Sequence, residues 1–199
     1  MSEQLTVFAP DAPASHPIHL VVTDDLERNR LTVFFRLFLA LPHFFWLAIW
    51  GIAVFFALIG AWFAGVVTGR VPDGIHAFMA RWVRQVTHVN AYFSLAADPF
   101  PDFGAAPGYP VDLEIAPPEK QSRLTIFFRG LLAIPAFIVV YFLGYIAEIV
   151  MFFQWFIALF TGRVHEGLRG VILYWIRYAA QTYGYNMLLT QRYPSFSDE

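Results

Sequence analysis

The chain contains no cysteine. Disulfides, thiolate nucleophiles and Cys-ligated metals are therefore excluded, and the redox compartment is unreadable. Charge is also scarce. Only 14% of the residues are Asp, Glu, Lys or Arg, where a soluble domain carries about a quarter. The net charge of −2 gives no electrostatic case for a nucleic-acid partner. Sequence signatures of catalysis are missing as well. There is no HExxH, no Gly-rich phosphate loop, no Gly-x-Ser-x-Gly and no pair of carboxylates at fixed spacing, so no enzymatic activity is expected. The N-terminal stretch MSEQLTVFAPDAPASHP lacks the basic start and apolar core of a signal peptide. The first apolar run is expected to serve as its own insertion signal.

Apolar sequence is what the chain has in excess, at 58% hydrophobic and 19% aromatic residues. It is concentrated in two runs, Phe34 to Arg70 and Phe127 to Arg163, whose interiors are charged only at Arg36, Arg129 and Glu148. Runs above about 18 apolar residues read as membrane-spanning. The two runs are also copies of each other at a constant offset of 93 residues. Arg30-Leu-Thr matches Arg123-Leu-Thr, Phe34-Phe-Arg36 matches Phe127-Phe-Arg129, Pro42 matches Pro135, and Thr68-Gly-Arg-Val71 matches Thr161-Gly-Arg-Val164. A register this long without a gap indicates tandem duplication and predicts two units related by a pseudo-twofold axis. The division is a flexible tail over 1–16, unit 1 over 17–97, a Pro/Gly-rich linker over 98–109 and unit 2 over 110–199.

Each unit is expected to open with a short β-strand, Ile18 to Val22 and Val111 to Ile115. The span from Phe34 to Val67 would be about 51 Å as one helix, against a hydrocarbon core of about 30 Å. Pro42 and Pro135 offer breaks. The predicted pieces are an interfacial helix over 30–41 and a spanning helix over 43–67, then 123–134 and 136–160. A third piece, over about 75–97 and 168–190, sorts small and polar residues to one face and bulky apolar residues to the other. That pattern suits a helix-contact face in a membrane, and an amphipathic helix lying on the surface is the alternative. If the third piece spans, each unit is a hairpin, the units run parallel and the strands can pair. If it does not, the units are inverted with the strands on opposite faces. The expected fold is an all-α integral membrane protein, a tandem repeat of a Pro-kinked spanning helix plus an amphipathic helix. Arginines and a lysine ahead of the runs put the termini in the cytoplasm.

The pattern YPVDLEI, RLTIFFRGLLAIP, FTGR, YWIR and LLTQRYPSFS resembles the bacterial membrane family catalogued as domain of unknown function 4389. Both halves carry it, so the resemblance covers nearly the whole chain after residue 16. Unit 1 departs from it at Phe55, where unit 2 has Glu148. The family carries no activity to transfer. The resemblance implies architecture and a location in the bacterial plasma membrane.

Six residues are candidates for a lipid or partner contact. Glu148 sits in mid-run, where an ionised carboxylate costs several kcal/mol unless paired or protonated, and Gln154, Tyr145 and Arg177 are its candidate partners. Arg36 and Arg129 occupy matched positions from which they could snorkel to phosphates or bond internally. Arg84 and Arg177 lie on the polar face of the third piece. His43, His76 and His88 could ligate a haem, but Ala136, Arg169 and Gln181 replace them in unit 2, so no cofactor or metal is expected. The function expected first is a non-catalytic membrane scaffold or assembly subunit that contacts lipids and another membrane protein or its own copy. A transporter-like protein using Glu148 is the alternative.

Overall fold

In the computed structural model, residues 16–197 are described. The expected tail over 1–16 lies almost wholly outside them. The elements are β1 (Ile18–Val22), α1 (Arg30–Thr68), α2 (Asp73–Phe93), β2 (Val111–Ile115), α3 (Arg123–Phe127), α4 (Arg129–Thr161) and α5 (Glu166–Asn186). The chain is mostly helical, with one two-stranded sheet.

The long helices do not divide where the prolines predict. α1 runs unbroken through Pro42 for 39 residues, and α4 runs through Pro135 for 33. The break in unit 2 falls at Phe128, seven residues before Pro135. A proline removes one backbone bond and crowds the preceding turn. Here the neighbouring turns are held by packing, because Ala40 and His43 flank Pro42 in the core and Ala133 and Ala136 flank Pro135. Asn29 starts α1 by accepting the Leu31 N–H through its side chain, at 3.0 Å. Both long helices end at left-handed glycines, Gly69 (φ 75°) and Gly162 (φ 73°), a conformation that a side chain would strain.

Each long helix folds back on the shorter one that follows it, so every unit is a helical hairpin. Gly51 and Gly144 make room for the facing tryptophans, Trp82 and Trp175. The units themselves are antiparallel, the inverted one of the two expected arrangements, but with the strands paired instead of on opposite faces. Trp62 near the end of α1 meets Phe127 of α3, just ahead of α4, and Trp155 near the end of α4 donates to the Val33 carbonyl near the start of α1, at 3.0 Å. Trp82 likewise meets Tyr183 between α2 and α5. Hairpins and paired strands coexist with inverted units because the strands pair antiparallel.

The register puts Leu20 opposite Leu113, and these are also equivalent residues of the repeat. The pseudo-twofold axis therefore passes between them, perpendicular to the sheet. Contacts obey it: Arg28 N–H donates to Gly162 O and Gln121 N–H to Gly69 O, both at 2.8 Å.

The strands touch α2, α5 and each other, but not α1 or α4. The axis thus runs from the sheet, past α2 and α5, to the long helices. Ile18, Val111 and Leu113 are buried beneath the sheet, with Met79, Val83, Ile172 and Ile176 among the core of the helical layer. The outer ends of the axis differ in chemistry. His19 and Glu114 are exposed on the sheet. On α1 only a narrow stripe is buried, including Val33, Ala40, Val54, Ala61 and Gly65. The rest of α1 exposes Phe34, Phe38, Phe45, Ile49, Phe56, Phe63 and Val67, and α4 does the same from Leu131 to Phe160.

Candidate functional site

The polar groups inside the molecule gather at two equivalent stations, where the chain turns after α2 and after α5. Leu95 (φ 65°) and Leu188 (φ 60°) take left-handed conformations there. These turns point carbonyls into the core, and a buried carbonyl without a donor costs about 1–3 kcal/mol. At the first station Arg28 donates to Leu95 O (3.1 Å) and Ala96 O (3.0 Å). Arg36 donates to Tyr92 O (2.7 Å), Ala97 O (2.8 Å) and Asp98 (2.7 Å), with its guanidinium over the Tyr92 ring. Arg169 comes across from the other unit to Ala96 O at 3.1 Å. Asp24 balances Arg28 at 2.6 Å and Arg169 at 3.2 Å.

At the second station Gln121 donates to Leu188 O (2.7 Å) and Arg129 to Thr190 O (3.0 Å). Arg129 lies over the Tyr185 ring and bonds Gln121. His76 crosses from unit 1 to Leu189 O at 3.2 Å. Each unit therefore closes the turn of the other. Both Arg36 and Arg129 are 2% exposed, so their partners are carbonyls, tyrosine rings and neighbouring side chains of the chain itself.

The other candidates separate. Arg84 donates to Leu113 O (2.9 Å) and pairs with Asp112 (3.2 Å), tying α2 to the sheet. Asp112 also meets His88 Nε2 at 2.8 Å. Burial pushes the Asp112 carboxyl up, but hydrogen bonds from His88 and the Gly108 and Leu113 N–H groups outweigh it and hold it below its ordinary value. Burial pulls His88 down despite Asp112, so the pair is a neutral imidazole donating to a carboxylate. Tyr109 stacks on His88, centroids 4.6 Å apart. Arg177 bonds Phe196 O at 3.0 Å. Gln154 closes the turn after α4 on both backbone groups of His165, at 3.2 and 3.4 Å. Glu148 is exposed on α4 and makes no hydrogen bond or ion pair among the described residues. The expected bonds from Glu148 to Gln154, Tyr145 or Arg177 do not form.

Sequence reasoning missed Arg28, Asp24, Gln121 and Arg169. The signal was the match of Ser94-Leu-Ala-Ala97 to Met187-Leu-Leu-Thr190 at the repeat offset, two post-helical turns whose carbonyls need donors.

A second set of charges lies outside, where the long helices meet. Arg30 packs beside Gly162 and Arg163, and Arg123 beside Gly69 and Arg70. The side chains of Arg30, Lys120, Arg123 and Arg163 are exposed and unpaired among the described residues. Arg70 pairs with exposed Asp73 at 2.9 Å.

Two inverted helical hairpins closed around a two-stranded sheet, with apolar long helices outside, define the class. The chain belongs to the family described as Domain of unknown function (DUF4389), whose model matches twice, at residues 30–104 and 123–198. No curated protein and no solved structure matches the chain.

Proposed function

We propose that this protein is a non-catalytic scaffold or assembly subunit of the bacterial plasma membrane, held there by α1 and α4 and binding another membrane protein or a second copy of itself. One observation carries the reading: two helices long and apolar enough to cross a membrane expose bulky side chains along their whole length. Monomeric soluble proteins rarely carry apolar patches beyond a few hundred Å². The buried arginines are committed to the chain's own carbonyls, which supports a structural role for them and a binding role for the exposed apolar surface. The exposed basic residues near the helix junctions support a cytoplasmic location for the termini. The test is purification from membranes in mild detergent after an alkaline carbonate wash. Retention in the pellet, followed by a stable hetero-complex or homo-oligomer by mass spectrometry, is expected. Release into the wash overturns membrane integration, and a strict monomer without partners overturns the scaffold.

A second reading rests on Glu148, an exposed carboxylate on an apolar helix without a partner among the described residues. Solute or proton flux in proteoliposomes that Glu148→Gln abolishes, with assembly intact, would establish it in place of the scaffold.

A further inference from the structure

The membrane reading leaves orientation open, and the pseudo-symmetry decides it. For two inverted units there are two ways to sit in a bilayer. With the axis in the membrane plane, equivalent residues fall on opposite faces. With the axis along the membrane normal, equivalent residues share one side and one depth. We infer that the axis stands along the normal, so that α1 and α4 lie within one leaflet and the sheet, α2 and α5 face water on that same side. This rests on the membrane reading above and extends it.

Three observations carry it. The first is that the axis pierces the sheet between Leu20 and Leu113. An in-plane axis would hold the exposed His19 and Glu114 at the bilayer centre, where charge is costly. Helix length is the second. α1 has 39 residues and α4 has 33, about 58 and 50 Å, against about 30 Å of hydrocarbon. Exposed apolar residues continue on α1 from Leu31 to Val67, leaving no polar overhang for an upright helix. A helix lying in the leaflet has no such limit. The third is charge. Arg30 with Arg163, and the equivalent Arg123 with Arg70, form two matched arginine pairs at the edge of the apolar surface, Lys120 joining the second where Glu27 stands beside the first and Asp73 pairing with Arg70. With the axis along the normal both groups sit at one depth, that of the anionic phosphodiesters of a single leaflet. The exposed polar side of α2, with Asp73, Ala77 and Arg81, lies alongside Ile115 to Pro118 at the end of the sheet, in the water above.

The absence of native cysteine gives the test. Gly74→Cys and Gly167→Cys are equivalent, exposed sites, and a side chain at Gly74 meets nothing within 4 Å. Each single variant is labelled with a membrane-impermeant maleimide, in spheroplasts and in inside-out vesicles, with labelling in detergent as the control. Both are expected to label strongly from the same side and at background from the other. Labelling from opposite sides, or protection of both from both sides, overturns the inference. Asp73→Cys and Glu166→Cys form a second equivalent pair with the same two outcomes, for use if a glycine variant does not accumulate. Failure of membrane integration is recognised separately, by release in carbonate.

Discussion

The two repeat units build the same buried station from different side chains. Where unit 1 has Arg28, unit 2 has Gln121; where unit 2 sends Arg169 across, unit 1 sends His76. Three of the carbonyls served are equivalent: Leu95 and Leu188, Ala96 and Leu189, Ala97 and Thr190. The backbone after the second helix of each hairpin imposes the need, and any buried donor of suitable reach meets it. Only Arg36 and Arg129 recur unchanged, each over a tyrosine ring. The core shows the same logic in volumes. Ile18 packs against Gly184, while the equivalent pair is Val111 and Ala91, in one cluster. Each side of the axis divides a similar volume differently between strand and helix.

The largest effect expected on this comparison comes from the shared arginines. Arg36→Leu strands two carbonyls and Asp98 and should cost about 3–5 kcal/mol, the range for breaking a buried ion pair. Arg129→Leu should cost less, because its side-chain partner Gln121 is neutral. Thermal unfolding in detergent reads both, and equal losses would break the comparison. Next is Gly184→Ala, whose added methyl would run into Ile18 Cδ1 and should cost about 1–3 kcal/mol through overpacking. Adding Ile18→Val, which copies the Val111–Ala91 pairing, should restore most of the loss. A double variant no more stable than the single would refute the volume exchange.

Acidification sharpens a further difference between the units. Burial lowers the pKa of His76 and of His88, both outside the long helices, below 6.5. Their positions in unit 2 hold Arg169 and Gln181, which do not titrate there. The folded state keeps these rings neutral while the unfolded chain protonates near 6.5, so stability falls as pH drops from about 7 towards 5. Asp112, held below 3.8, contributes stability that is present above that value and is lost as pH falls through its folded pKa. His76→Gln with His88→Gln should flatten the upper part of the pH profile, and an unchanged slope would assign it elsewhere. Smallest is Glu148→Phe, which copies Phe55 of unit 1. No change in melting temperature or assembly is expected, and loss of assembly would give Glu148 a role in the interface.

Much of this architecture is legible in the sequence. The offset of 93 residues predicts two units, the apolar runs predict two long exposed helices, and the alternation around Leu20 and Leu113 predicts the strands. Pro42 and Pro135 mislead because a proline's local cost is outweighed by packing on both sides. The choice between parallel and inverted units stays open in the sequence because identical copies can close either way, and periodicity does not encode which. The partners of Arg36 and Arg129 stay open in the sequence because an arginine in an apolar run has two solutions, outward to phosphate or inward to carbonyls. Only the turns that bring residues 92–98 back onto α1 and 185–190 back onto α4 decide between them.

The most direct test is a disulfide on the axis itself. Leu20→Cys with Leu113→Cys places two thiols directly opposite in an antiparallel pair, within the Cα separation that a disulfide spans. Mild oxidation of the folded protein should give an intramolecular bond, seen as a faster-migrating monomer without reductant. A monomer that stays reduced, or cross-links only between chains, would contradict the closure of the two units on each other.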